Sequence, residues 1–144
     1  MRARVAAAAL AACLLPAAPA AAGPAREATK LASARDRWQD QHARDYTFRL
    51  RLACFCVQRD PVTIRVRDGK PHSTPDSLRR FDTVPELFAR IREEIDRGAR
   101  GLDARYGART GAPRDFSADP LPRAIDDEYT VIVRRLRVTR RYGG

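Results

Sequence analysis

Two thiols, Cys54 and Cys56, stand two residues apart in the chain, and three kinds of sulfur chemistry are open to such a pair: a structural disulfide, metal ligation, and thiol–disulfide exchange. In an extended strand, residues two apart have Cα atoms about 6.6 Å from each other, near the upper limit for a disulfide, so a bridge requires a local kink. A loop this small restricts the unfolded chain by only roughly 1.6 kcal/mol, so the bridge would shape the strand end more than stabilise the fold. Zinc asks for four ligands from Cys, His or carboxylate. The only imidazoles are His42 and His72. If Tyr46 to Cys54 is one strand, His42 lies about 26 Å away at its far end, while His72 sits two strands over at about 9.6 Å. No metal site closes, and none is expected.

The second chemical signature is positive charge. Arg49 and Arg51, and then Arg65 and Arg67, alternate with apolar residues, so all four are expected on one outward face, as an anion-binding candidate or as a solvated surface. Like charges opposite each other cost a sheet some tenths of a kcal/mol unless acidic neighbours or an anionic partner offset them. Catalytic signatures are missing: the sequence holds no Gly-rich phosphate loop, no nucleophile elbow and no His-Glu-x-x-His. Asp126-Asp127-Glu128 reads as a solvated turn, and Asp103 and Asp119 have no identifiable partner. No catalytic residue and no cofactor is expected.

These residues must be positioned by a small set of elements. Gly23 to Glu27 reads as a linker, followed by a helix over about 28–43 with a thin inner stripe of Leu31, Ala34 and Trp38. From Asp45 to Cys56 the pattern has period two, with Tyr46, Phe48, Leu50, Leu52, Cys54 and Cys56 on the inner parity. Val57 to Pro61 is a loop. Val62, Ile64 and Val66 then face inward, and Asp68-Gly69 turns the chain into a short strand over Lys70 to Ser73. Thr83 and Glu86 have capping-box spacing, and Val84, Leu87, Phe88, Ile91 and Ile95 form the stripe of a second helix that Gly98 ends. Glu86–Arg90 and Glu93–Arg97 are spaced as favourable pairs one turn apart. Strands are expected at Leu102–Tyr106, Arg114–Ala118 and Tyr129–Val138, the last with a bulge at Arg134-Arg135, where the apolar parity slips. The fold class that follows is α+β: an antiparallel sheet of about six strands with two helices on one face, in the order helix, three strands, helix, three strands.

The N-terminus bears on compartment. Arg2 and Arg4, the apolar run Val5 to Leu15, Pro16 and the small residues Ala20-Ala21-Ala22 have the layout of an export signal over residues 1–22, leaving one extracytoplasmic domain over 23–144. The run is shorter than the about 20 residues a bilayer span needs. Leu10-Ala11-Ala12-Cys13 also has the order of a lipoprotein cleavage site, and lipidation at Cys13 would tether the domain to a membrane. The chain carries a formal charge of +10, and its 28 basic residues include only two lysines, Lys30 and Lys70. Outside the cytoplasm such a surface meets anionic envelope components or an acidic protein rather than nucleic acid.

Several pieces in order carry a family resemblance: Trp38, Asp45-Tyr46-Thr47-Phe48, Cys54-Phe55-Cys56, Val62-Thr63-Ile64-Arg65-Val66 with Asp68-Gly69, and Thr83-Val84-Pro85-Glu86-Leu87-Phe88. Tyr106, Gly111, Pro113, Phe116 and Asp119 continue it, and Asp127-Glu128-Tyr129 leads the final strand. Over about residues 38–138 the chain resembles family 6174 of bacterial domains of unknown function. That resemblance implies a secreted or lipid-anchored protein and supplies no activity. The sequence thus points to a non-catalytic envelope binding or interaction module, with a thiol-dependent redox or metal-handling protein centred on Cys54 and Cys56 as the alternative.

Overall fold

The computed structural model describes residues 23–54, 60–119 and 128–139. Its elements run α1 (Pro24–Gln39), β1 (Tyr46–Cys54), β2 (Val62–Arg67), β3 (Lys70–His72), a 3-10 turn (Asp76–Phe81), α2 (Val84–Asp96), β4 (Arg100–Tyr106), β5 (Pro113–Asp119) and β6 (Tyr129–Val138). The six strands form one antiparallel sheet in the order β3-β2-β1-β6-β5-β4. This is the expected α+β arrangement, with the 3-10 turn added between β3 and α2. The halves keep the same order across the sheet (β3-β2-β1, then β6-β5-β4) while corresponding strands such as β1 and β4 run in opposite directions, and with both helices on one face no rotation superposes them, so the repeated order of elements is not a repeated structure.

One face of the sheet is buried. Tyr46, Phe48 and Leu50 of β1, Ile64 and Val66 of β2, Val131 and Val133 of β6, and Phe116 of β5 share a core with Leu31, Ala34 and Trp38 of α1 and Val84, Leu87, Phe88 and Ile91 of α2. Trp38 meets the Tyr46 ring edge-on at 5.2 Å between centroids, and the Tyr46 hydroxyl accepts a 3.1 Å hydrogen bond from the Val84 amide. One aromatic cluster therefore joins α1, β1 and the start of α2.

α2 follows its sequence signals closely. Thr83 Oγ1 accepts from the Glu86 amide at 3.2 Å. At the other end, Gly98 has φ +68°, the Ala99 amide donates to Glu94 O and the Gly98 amide to Ile95 O, which together make a Schellman stop. Asp68 and Gly69 both have positive φ (+50° and +76°), the signature of the tight hairpin turn.

Several boundaries differ from the sequence-based expectation. Residues 24–27 are helix, not linker: Pro24 opens α1, where its fixed φ suits a helix and its missing N–H costs no bond, and the Glu27 amide donates to Gly23 O at 3.1 Å. The far end stops at Gln39 rather than Ala43, with His42 in the left-handed region (φ +47°). β3 ends at His72 because Ser73 adopts φ +56°. β4 starts at Arg100, two residues earlier than expected. The bulge in β6 is where the slip in parity placed it: Arg135 has φ +55°, and the register against β1 shifts between Thr47 and Arg49. Among the described residues no helix is long and apolar enough to cross a membrane.

Candidate functional site: an arginine-lined cleft on the uncovered sheet face

The helices cover one face of the sheet, and the other carries the outward parity of every strand. In register across β1 and β6, Arg49 lies opposite Arg134, Arg51 opposite Ile132, and Thr47 opposite Arg137. Because β6 lies beside β1, a strand distant in sequence brings its own cations to the face. Arg49, Arg51, Arg134 and Arg135 line a cleft of about 330 Å³, with Pro61 and Ile132 as its apolar walls. The bulge makes this possible, since it places Arg134 and Arg135 consecutively at the same rim.

Arg65 and Arg67 were expected to belong with Arg49 and Arg51. They share the outward face of the first hairpin and are exposed, but Thr63 is the residue opposite Arg49 and Thr47 the one opposite Arg65. The structure therefore divides the expected patch. Arg49 and Arg51 belong to a concave site, and Arg65 and Arg67 lie outside its lining.

The electrostatics of the cleft are one-sided. Among the described residues Arg49, Arg51 and Arg135 make no ion pair, and Arg51 Nε is buried with no hydrogen-bond partner. Arg134 is the one rim cation already engaged. It donates to Arg114 O and Val133 O at 3.0 Å each, and its Nη1 lies 3.7 Å from Asp115 Oδ2. Guanidinium groups with open donors in a fixed concavity can bind a carboxylate or phosphate bidentately. They offer no nucleophile, general base or metal ligand.

A second polar constellation lies on the helical side and was not anticipated. Glu94 is fully buried. Its Oε1 lies 2.7 Å from Arg90 Nη2 and accepts from the Tyr129 hydroxyl at 2.9 Å, while Arg90 Nε donates to that hydroxyl at 2.9 Å. Burial pushes the Tyr129 phenol well above its ordinary value. The expected Glu86–Arg90 pair gives way to this network, since Arg90 turns to Glu93 and Glu94. A charged residue seven positions after Leu87, on the inner stripe of α2, was the available sequence signal. The network ties α2 to the start of β6 and is structural.

Asp82, 3 % exposed, has its carboxyl pushed up to about 7, first by burial and then by the hydrogen bond and negative charge of Glu86. A raised carboxyl favours the folded state when protonated. Between its ordinary 3.8 and about 7 the folded protein holds the extra proton, so stability falls as pH rises through that window, by roughly 2–4 kcal/mol in all. Urea midpoints at about pH 5 and about pH 8 are expected to differ in that direction. Asp82→Asn should raise the midpoint at the higher pH and flatten the difference. Parallel pH profiles for the two proteins would contradict the assignment.

The remaining candidates are placed as follows. Cys54 ends β1, half-buried and opposite Tyr129. Cys56, Cys13, Asp126, Asp127 and the proposed signal over 1–22 lie outside the described residues. Cys54, Asp119, Glu128 and Tyr129 line a cavity of about 460 Å³ at that end of the sheet. His72, exposed on β3, is two strands away from β1. No group of three or more His, Cys, Asp or Glu suited to a metal occurs among the described residues.

Fold and site together define an antiparallel α+β domain in which, among the described residues, the sheet face opposite the helices bears a basic cleft. The chain belongs to the family of unknown function DUF6174, whose sequence model matches residues 30–138. No curated protein and no solved structure matches the chain.

Proposed function

We propose that this domain is a non-catalytic binding module that acts outside the cytoplasm and holds an anionic group of an envelope component in the cleft of Arg49, Arg51, Arg134 and Arg135. The observation that carries the reading is that Arg49, Arg51 and Arg135, which make no ion pair among the described residues, line a concave, partly apolar site together with Arg134. Inorganic pyrophosphate is a suitable probe. Calorimetric titration should show binding that weakens as salt rises from about 50 to about 200 mM, as displacement of screened charge requires. Salt-independent or absent binding would overturn the reading.

The compartment belongs to the same proposal. The layout of residues 1–22 supports export, with cleavage before Gly23 or, if the lipoprotein order at Leu10–Cys13 is used, before Cys13. In an oxidising compartment paired thiols close. A Cys54–Cys56 bridge, to which the spacing of the two residues and the oxidising compartment point, would fix the end of β1. Unreduced exported protein should then be lighter by two hydrogens and resist alkylation; two alkylated thiols would exclude the bridge. A half-buried half-cystine at a strand end suits a structural role better than exchange.

A further inference from the structure

A second basic cleft, of about 610 Å³, wraps the β4 edge of the sheet, and Arg134 lines both it and the first. α1 contributes Lys30, Ser33 and Arg37, β4 contributes Ala104, Arg105 and Tyr106, and β5 contributes Arg114 and Asp115. We infer that the two clefts form one track that binds a linear acidic polysaccharide, with Arg134 at the join. The inference rests on the anion-binding reading above and assigns the ligand's class and length.

The charges along the track follow a pattern. At the join, Arg134 and Arg105 are both held by Asp115, so the middle is preorganised. On either side stand cations that make no ion pair among the described residues: Arg49, Arg51 and Arg135 in the first cleft, Arg37 and Arg114 in the second. Arg37 Nη1 donates to Ser33 Oγ at 2.8 Å, which holds the guanidinium beside the second cleft. One small anion cannot satisfy open donors in two clefts, whereas a chain with an acidic group on successive units can. The polar groups favour sugar over peptide. The Asp115 carboxylate is an acceptor beside the cations, and hydroxyl-bearing units offer it donors. Acidic side chains would offer the Asp115 carboxylate only repulsion.

The test compares galacturonate oligomers of increasing length, with pyrophosphate as the probe of the first cleft alone. Hexagalacturonate is expected to bind tighter than digalacturonate by about tenfold or more, because the second cleft is engaged at high effective concentration. Arg37→Ser with Arg114→Ser should erase that gain and leave pyrophosphate binding unchanged. Equal affinity for the two oligomers, or no binding of either while pyrophosphate binds, would overturn the track and leave the anion cleft standing. Loss of pyrophosphate binding as well would remove the reading on which it rests. Tighter binding of a glutamate hexapeptide than of hexagalacturonate would overturn the inference in favour of an acidic protein.

Discussion

Gly111→Ala is expected to destabilise the fold by about 2–5 kcal/mol, through two costs that add at one position. Gly111 is buried in the turn between β4 and β5 with φ +75°, a conformation that costs a residue bearing a Cβ about 1–2 kcal/mol. The second cost is steric. A Cβ at this position would collide with the Ala34 carbonyl oxygen and meet Arg37 Cβ and the Trp38 amide nitrogen at 2.9 Å. Two of those atoms are helix backbone, so α1 must move as a body, and with it the Trp38–Tyr46 contact. Such overpacking typically costs a further 1–3 kcal/mol or so. Urea unfolding gives the value. A comparable change at Gly69, where φ is +76° but nothing lies within 4 Å of the added Cβ, should cost only the conformational part. Equal losses at the two sites would show that the turn does not press on α1.

Arg90→Met should cost about 3–5 kcal/mol, the usual loss when one partner of a buried ion pair is removed. Glu94 has no exposed surface and depends on Arg90 and the Tyr129 hydroxyl. Arg97 Nη1, at 3.6 Å, is a poorer and half-exposed substitute. Without Arg90 the Glu94 carboxylate is left as an uncompensated buried charge. Replacing both members, as Arg90→Met with Glu94→Leu, should recover most of the loss, since an apolar pair needs no desolvated charge. A double variant as unstable as the single would mean that packing rather than charge explains the effect.

The contrast between these two networks and the cleft shows what local sequence reading reaches. α2 was legible because its start, stripe and stop are all local: Thr83 caps Glu86, the apolar residues recur at helical spacing, and Gly98 closes a Schellman turn. The bulge at Arg134-Arg135 was legible because a slip in parity is also local. Pro24 was misread because proline and small residues mark linkers and helix starts alike. The cleft was half legible. Arg49 and Arg51 were found by alternation, and Arg65 and Arg67 were grouped with them on the same rule. Which strand lies on the other side of β1 is decided by pairing over about eighty residues of sequence separation, from β1 to β6, and no periodicity encodes it. Arg134 therefore entered only with the structure. Glu94 was hidden for the opposite reason: a charged residue on an apolar stripe is visible, but its partner Tyr129 lies on a distant strand.

The central claim is that a defined concavity, rather than the overall excess of positive charge, binds the anion. The most direct test titrates pyrophosphate into two variants that lose the same charge from different places: Arg49→Ser with Arg51→Ser in the cleft, and Arg26→Ser with Arg35→Ser on the exposed side of α1. Two charge-assisted contacts are worth about 1.5–3 kcal/mol each, so the cleft variant should lose about a hundredfold or more in affinity. The α1 variant should bind as the unaltered protein does. Equal losses in the two variants would show that net charge alone attracts the anion, and the cleft would then have no specific role.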